Sequence, residues 1–136
     1  MKRIILIFSL ALALNSCSVA NDEENYTYEV APVFNVTMPD KFAVDSVSII
    51  KVEYKRPSSC HFFNNFDYYA EGFNRTVAIG MLVSTSGTCQ TDNETLVEVP
   101  LKFRPGFEGI YKFKFWTGNN SSGVPQYLAI DVAVDH

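Results

Sequence analysis

From Val30 onward, apolar and polar residues alternate with a period of two, the spacing of a strand that buries one face. Val97, Val99, Leu101 and Phe103 alternate with Glu98, Pro100, Lys102 and Arg104. Tyr111, Phe113 and Phe115 alternate with Lys112, Lys114 and Trp116. Leu128, Ile130, Val132 and Val134 alternate with Ala129, Asp131, Ala133 and Asp135. Val77, Ile79, Met81 and Val83 share one phase, and so do Ile50, Val52 and Tyr54. With the segments Val30–Thr37 and Cys60–Tyr69, these runs predict about seven strands. Turn-forming groups separate them, among them Met38-Pro39-Asp40, Arg104-Pro105-Gly106 and the polar loop from Gly118 to Pro125. No stretch after Cys17 sustains apolar residues at helical spacing. The expected fold is all-β, an antiparallel sandwich over residues 28–136, with a small barrel as the alternative closure. Pro100 withholds a ladder donor, so its strand belongs at a sheet edge or carries a bulge.

The first residues follow a different rule. Met1-Lys2-Arg3 is cationic, and Ile4 to Leu14 is apolar except for Ser9. That run of about eleven residues reaches roughly 16 Å as a helix, about half a bilayer core. It reads as the h-region of a signal peptide over residues 1–16. Leu14-Asn15-Ser16-Cys17 directly behind it resembles the lipobox of bacterial lipoproteins. That resemblance implies that the Cys17 thiol is diacylglycerated and becomes the mature N-terminus. Ser18 and Ala20 also meet the small-residue rule of ordinary secretory cleavage. The expected partner is a membrane, held through N-terminal acyl chains. Each buried methylene contributes about 0.8 kcal/mol, so two chains anchor where one binds reversibly. Residues 17–27 then form the anchor and an acidic tether, with Asn21-Asp22-Glu23-Glu24-Asn25 too polar to join a core. Asp22-Glu23-Glu24 resembles the acidic export signals of Bacteroidetes-type surface lipoproteins. The expected location is the outer membrane, on its periplasmic or its outer face.

Phe103-Arg104-Pro105-Gly106-Phe107-Glu108-Gly109-Ile110-Tyr111 resembles the tyrosine corner of immunoglobulin-like sandwiches, in which a tyrosine hydroxyl bonds back to upstream backbone. The resemblance gives that structural role to Tyr111. From signal peptide to last strand, the chain is similar to the small immunoglobulin-like lipoproteins of Bacteroidetes, a resemblance that carries no activity with it. Asp45-Ser46-Val47 resembles the O-glycosylation signal of exported proteins from that group.

Composition narrows the classes further. With 136 residues, 47% hydrophobic and 19% charged, the chain has material for one core and is not a disordered tail. Eleven basic residues against fifteen acidic ones imply no basic patch and no nucleic-acid partner. Once Cys17 is acylated, Cys60 and Cys89 remain, and in an exported chain they suggest a disulfide. The rival reading is a metal site using His61 beside Cys60. Cys-x-x-Cys and His-x-x-x-His spacings are missing, and His136 is the last residue, so no metal or other cofactor is expected.

Catalytic motifs are equally scarce. There is no Gly-x-Ser-x-Gly elbow, phosphate-cradling glycine loop or zincin motif, so a non-enzymatic role is expected. Carboxylates such as Asp67, Glu71 and Glu108 read as solvated loop groups. The aromatic run Phe62, Phe63, Phe66, Tyr68, Tyr69 and Phe73, interleaved with Asn64, Asn65 and Asp67, is the more informative feature. One strand face buries only alternate residues, so some of these rings must leave the core. Tyr68, Tyr69, Asp67 and Trp116 are therefore candidates for stacking on sugar rings or anchoring an envelope protein. Packing across the two sheets is the structural alternative for the same rings.

Overall fold

The computed structural model describes residues 25–136. Nine strands follow one another: β1 (Tyr26–Ala31), β2 (Asn35–Thr37), β3 (Phe42–Ala43), β4 (Ser48–Lys55), β5 (His61–Glu71), β6 (Asn74–Ser84), β7 (Leu96–Phe103), β8 (Gly109–Asn119) and β9 (Pro125–Asp135). A six-stranded sheet runs β1-β6-β8-β9-β3, with β5 on the other edge of β6. A three-stranded sheet, β2-β4-β7, covers it. The described residues hold no helix. β1 takes up Tyr26 and Thr27, the last residues of the stretch whose sequence reads as tether.

The strand count and the pairing both depart from seven antiparallel strands. The run Val30–Thr37 is two strands, because Pro32 has no N–H to continue the ladder. There the chain changes sheets. Val33 N–H donates to the Trp116 carbonyl in the large sheet at 2.8 Å, and Phe34 N–H donates to the Glu53 carbonyl in the small one at 2.7 Å. β3, only two residues long, supplies the other addition, and it pairs with β9 in parallel. The second parallel pair is β6 with β8, from Asn74↔Lys112 to Val77↔Phe115. Beyond Val77 this edge of β6 passes to β1, which pairs antiparallel from Ala31↔Ile79 to Tyr26↔Ser84.

The alternating residues meet between the sheets. Ile50, Val52 and Tyr54 of β4 and Val99, Leu101 and Phe103 of β7 face Val77, Ile79 and Met81 of β6 and Tyr111, Phe113 and Phe115 of β8. Phe103 bridges the layers, with its ring edge-on to Phe42, Tyr111 and Phe113 at 5.8, 5.1 and 5.0 Å. Burying each such ring contributes about 1.5–3 kcal/mol. β7 pairs only with β4 and is an edge strand, as the missing donor of Pro100 requires. Three strands cannot cover six. The far end of β9 is left partly open, and Leu128 is 38% exposed although it shares the phase of buried Val132. β5 is likewise mostly outside the cover.

Candidate functional site

β5 sorts the aromatic run between two faces, and a bulge does the sorting. Its register against β6 shifts between Phe63 and Asn65, so Asn64 is the extra residue. Phe63 lies opposite Met81 and Phe66 opposite Ile79, both core positions, although an unbroken strand would put residues three apart on opposite faces. The two rings meet edge-on at 5.2 Å and close the side of the sandwich. Tyr68, opposite Val77, shares their face. Asn65, Asp67 and Tyr69 lie opposite Gly80, Ala78 and Thr76 and point away from the core.

This outward face is the candidate binding surface. Its floor along β6 is made of small residues, Gly80, Ala78 and Thr76. On one flank stand Asn65, Asp67 and Tyr69, the last 63% exposed. On the other, Tyr28 of β1 reaches over Gly80 and donates its hydroxyl hydrogen to Asn65 Oδ1 at 3.4 Å. Burial, and secondarily the Asp67 charge, push the Tyr28 phenol above its ordinary value. Farther across, Lys114 Nζ sits 6.0 Å from the centroid of the Tyr127 ring. Rings with neighbouring amide, carboxylate and ammonium groups can stack on a planar or sugar-like ligand and bond its hydroxyls.

The four residues singled out in the sequence do not all meet. Asp67 and Tyr69 share the outward face. Tyr68 lies on the opposite face, bonded to Arg75, and burial raises its phenol while the Arg75 charge opposes the rise. Trp116 stands two strands away on β8, beyond its pairing with β6, and donates Nε1–H to Asn119 Oδ1 at 3.1 Å. Tyr28 and Asn65 take the places that the pattern of residues suggests for Tyr68 and Trp116. The available signal was Gly80, a glycine inside an apolar strand pattern, which marks a close approach by other groups.

At the other end of the sandwich, Tyr111 is buried and its hydroxyl donates to the Phe107 carbonyl at 3.1 Å while accepting from Phe107 N–H at 3.3 Å. Phe73 packs edge-on to it at 4.9 Å and lies where a side chain at Gly109 would project. Gly109 has φ 138°, so both space and backbone favour glycine there. Arg75 covers the Tyr111 ring from 5.0 Å.

Cys60 and Cys89 are joined by a disulfide with Cα atoms 5.5 Å apart. Beside it runs a chain of polar groups. Glu29 Oε2 lies 3.0 Å from His61 Nε2, and His61 Nδ1 lies 2.6 Å from Ser58 Oγ. A carboxylate only accepts, so Nε2 carries the hydrogen, and in the neutral ring Nδ1 accepts from Ser58. These are the components of a nucleophile, its base and an orienting carboxylate. The surrounding N–H groups are already used: Cys60 N–H on Ser58 Oγ, His61 N–H on the Ser58 carbonyl and Ser59 N–H on the Gln90 carbonyl. In this structure the chain of bonds ties Glu29 of β1 to His61 of β5 across β6. Glu29 and Ser58 are 29 positions apart in sequence, beyond the reach of any local motif.

Cys17, the stretch 1–16 read as a signal peptide and the acidic stretch 21–24 lie outside the described residues. No protein-family model, curated protein or solved structure matches this chain.

Proposed function

We propose that the protein is a lipid-anchored, non-catalytic binding or accessory protein of the cell envelope, built on an immunoglobulin-like sandwich. The observation that carries the reading is Leu14-Asn15-Ser16-Cys17 placed directly behind a short apolar run. A thiol at that point, acylated, would hold the following domain at the outer membrane. The immunoglobulin-like assignment is supported by the Tyr111 hydroxyl bonded to Phe107, by the change of sheet at Pro32 and by the parallel β3–β9 pair. The parallel β6–β8 pair is its departure from a purely antiparallel build. Metabolic labelling with palmitate tests the anchor: wild type takes up label and Cys17→Ser does not. Equal absence of label in both would overturn it.

The aromatic outward face favours a second reading, a glycan-binding module. Tyr69, Asp67, Asn65 and Tyr28 combine a stacking surface with hydroxyl-bonding groups. Polysaccharide pull-down would then weaken in Tyr69→Ala and persist in Tyr68→Ala, whose ring lies on the other face. Equal loss in both variants would remove this reading.

A further inference from the structure

The outward face of the large sheet has one corner that carries no charge. Tyr28 of β1 and Phe62 of β5 flank Leu82 of β6 on a single rung. Tyr26 and Ser84 stand on the rung before it, and Val30, Gly80 and Asn65 on the rung after. Side chains opposite one another in register share a face, so these residues form one continuous surface. Tyr28 and Phe62 are each 51% exposed, and Tyr26 and Val30 are exposed beside them. Their charged sequence neighbours, Glu29 and His61, turn to the other face, opposite Met81 and Val83, and bond each other there. An exposed apolar patch of this kind marks an interaction surface.

The place where the chain enters the fold selects the occupant. β1 begins at this corner, with Tyr26. The nine residues from Cys17 to Tyr26 span at most about 32 Å. With Cys17 acylated, the corner stays within that distance of the lipid surface, and contact between them is intramolecular, at an effective concentration on the order of millimolar. A free protein partner has no such advantage. Tyr26 and Tyr28 also suit the headgroup level, where an apolar ring is buried and its hydroxyl stays wet, and Phe62 and Leu82 supply apolar depth. Charge fixes the kind of lipid. The Asp67 carboxylate acts on Tyr28, and Asp22-Glu23-Glu24 lie just ahead of β1 in sequence, so an anionic surface is repelled.

We infer that the corner formed by Tyr26, Tyr28, Val30, Phe62 and Leu82 rests on a zwitterionic phospholipid surface. The inference rests on the lipid-anchored reading and goes beyond it, since an acyl chain alone leaves the orientation of the domain free. In the docked orientation the Tyr111 corner, at the other end of the sandwich, faces away from the membrane.

The test reconstitutes the full chain, expressed with its own N-terminus, in vesicles of phosphatidylcholine bearing a diazirine high on its acyl chain. Illumination is expected to cross-link lipid to Tyr28 and Phe62 and not to Phe107, which is 74% exposed at the opposite end. Phe62→Asp lowers the yield at Tyr28 roughly tenfold. Tyr28→Asp does the same at Phe62, so either variant serves if the other fails to fold. Palmitate labelling of the same preparation reads the anchor separately: cross-links at the corner of an unlabelled chain support the docking and overturn only the anchor. Absence of cross-links at the corner, equal yields at Phe107 and Phe62, yields indifferent to both aspartates, or higher yields on half-anionic vesicles overturn the inference. A corner without lipid cross-links, in a dimer that Phe62→Asp dissociates, would assign the face to a second copy and overturn the lipid surface.

Discussion

Tyr28 and Asn65 meet over Gly80, hydroxyl to amide oxygen at 3.4 Å, and so tie β1 to β5 across the strand between them. A Cβ at position 80 would run into both atoms. Each atom is the far end of a flexible side chain, so Gly80→Ala leaves the backbone in place and separates the pair. The Tyr28 phenol, raised mainly by burial, then returns toward its ordinary value of 10.0. Absorbance titration of wild type and Gly80→Ala, with Tyr28→Phe to identify the signal, measures that return. An unchanged titration would mean that Tyr28 is held by something other than this contact.

Removing the Cys60–Cys89 bond frees a loop with a sequence separation of 29. On the chain-entropy account the loss is about 3–4 kcal/mol. Denaturant unfolding with and without reductant, together with a Cys60→Ser/Cys89→Ser double variant, reads it. Both treatments are expected to lower the midpoint by the same amount. A double variant as stable as wild type would show that the bond restrains little in the unfolded chain.

Tyr111→Phe keeps the buried ring and deletes the hydroxyl that bonds both backbone groups of Phe107. The expected cost is roughly 1–2 kcal/mol, because both bonds between the buried Tyr111 hydroxyl and Phe107 are lost. Phe73→Ala is the contrasting change, since it removes the ring that packs on Tyr111 and Gly109. The first variant should raise amide exchange at Phe107 specifically, and the second should lower stability without that local signature.

Asp92 gives the fold an acid limit. The Thr95 hydroxyl and N–H, then Arg56, and then Glu94 N–H hold its carboxyl well below 3.8. A carboxyl depressed on folding adds stability above its unfolded value and loses it as pH falls through the folded one. Wild type should therefore lose stability as pH drops below about 4, and Asp92→Asn should lose less over that interval. Parallel slopes for the two proteins would exclude Asp92 as a contributor.

The sheet faces were legible because period-two alternation encodes them residue by residue. Ile50, Val52 and Tyr54, or Tyr111, Phe113 and Phe115, declare their side without reference to the rest of the chain. Three features lacked such a code. β3 is two residues long, and nothing local to Phe42–Ala43 announces a parallel partner at the end of the chain. The pairing of β6 with β8 is a choice between distant strands whose patterns fit several neighbours. The bulge at Asn64 reverses the phase of everything after it, so Tyr68 and Tyr69 could be counted but not assigned to their faces. The candidate site was therefore half visible. Asp67 and Tyr69 belong to it, while Tyr28 and Asn65 enter only through the pairing of β1 and β5 with β6.

The change of sheet at Pro32 has a mechanical consequence. A load that lifts the N-terminal end of β1 away from β6 opens its rungs in order from Tyr26↔Ser84 to Ala31↔Ile79, and breaks the Tyr28–Asn65 and Glu29–His61 ties to β5 on the way. Peeling can proceed no farther by the same route. Val33 and Phe34 are bonded to opposite layers, so the next step must break into both at once. β1 is thus a yielding element in front of a stop, able to absorb a tug while the sandwich behind it stays closed.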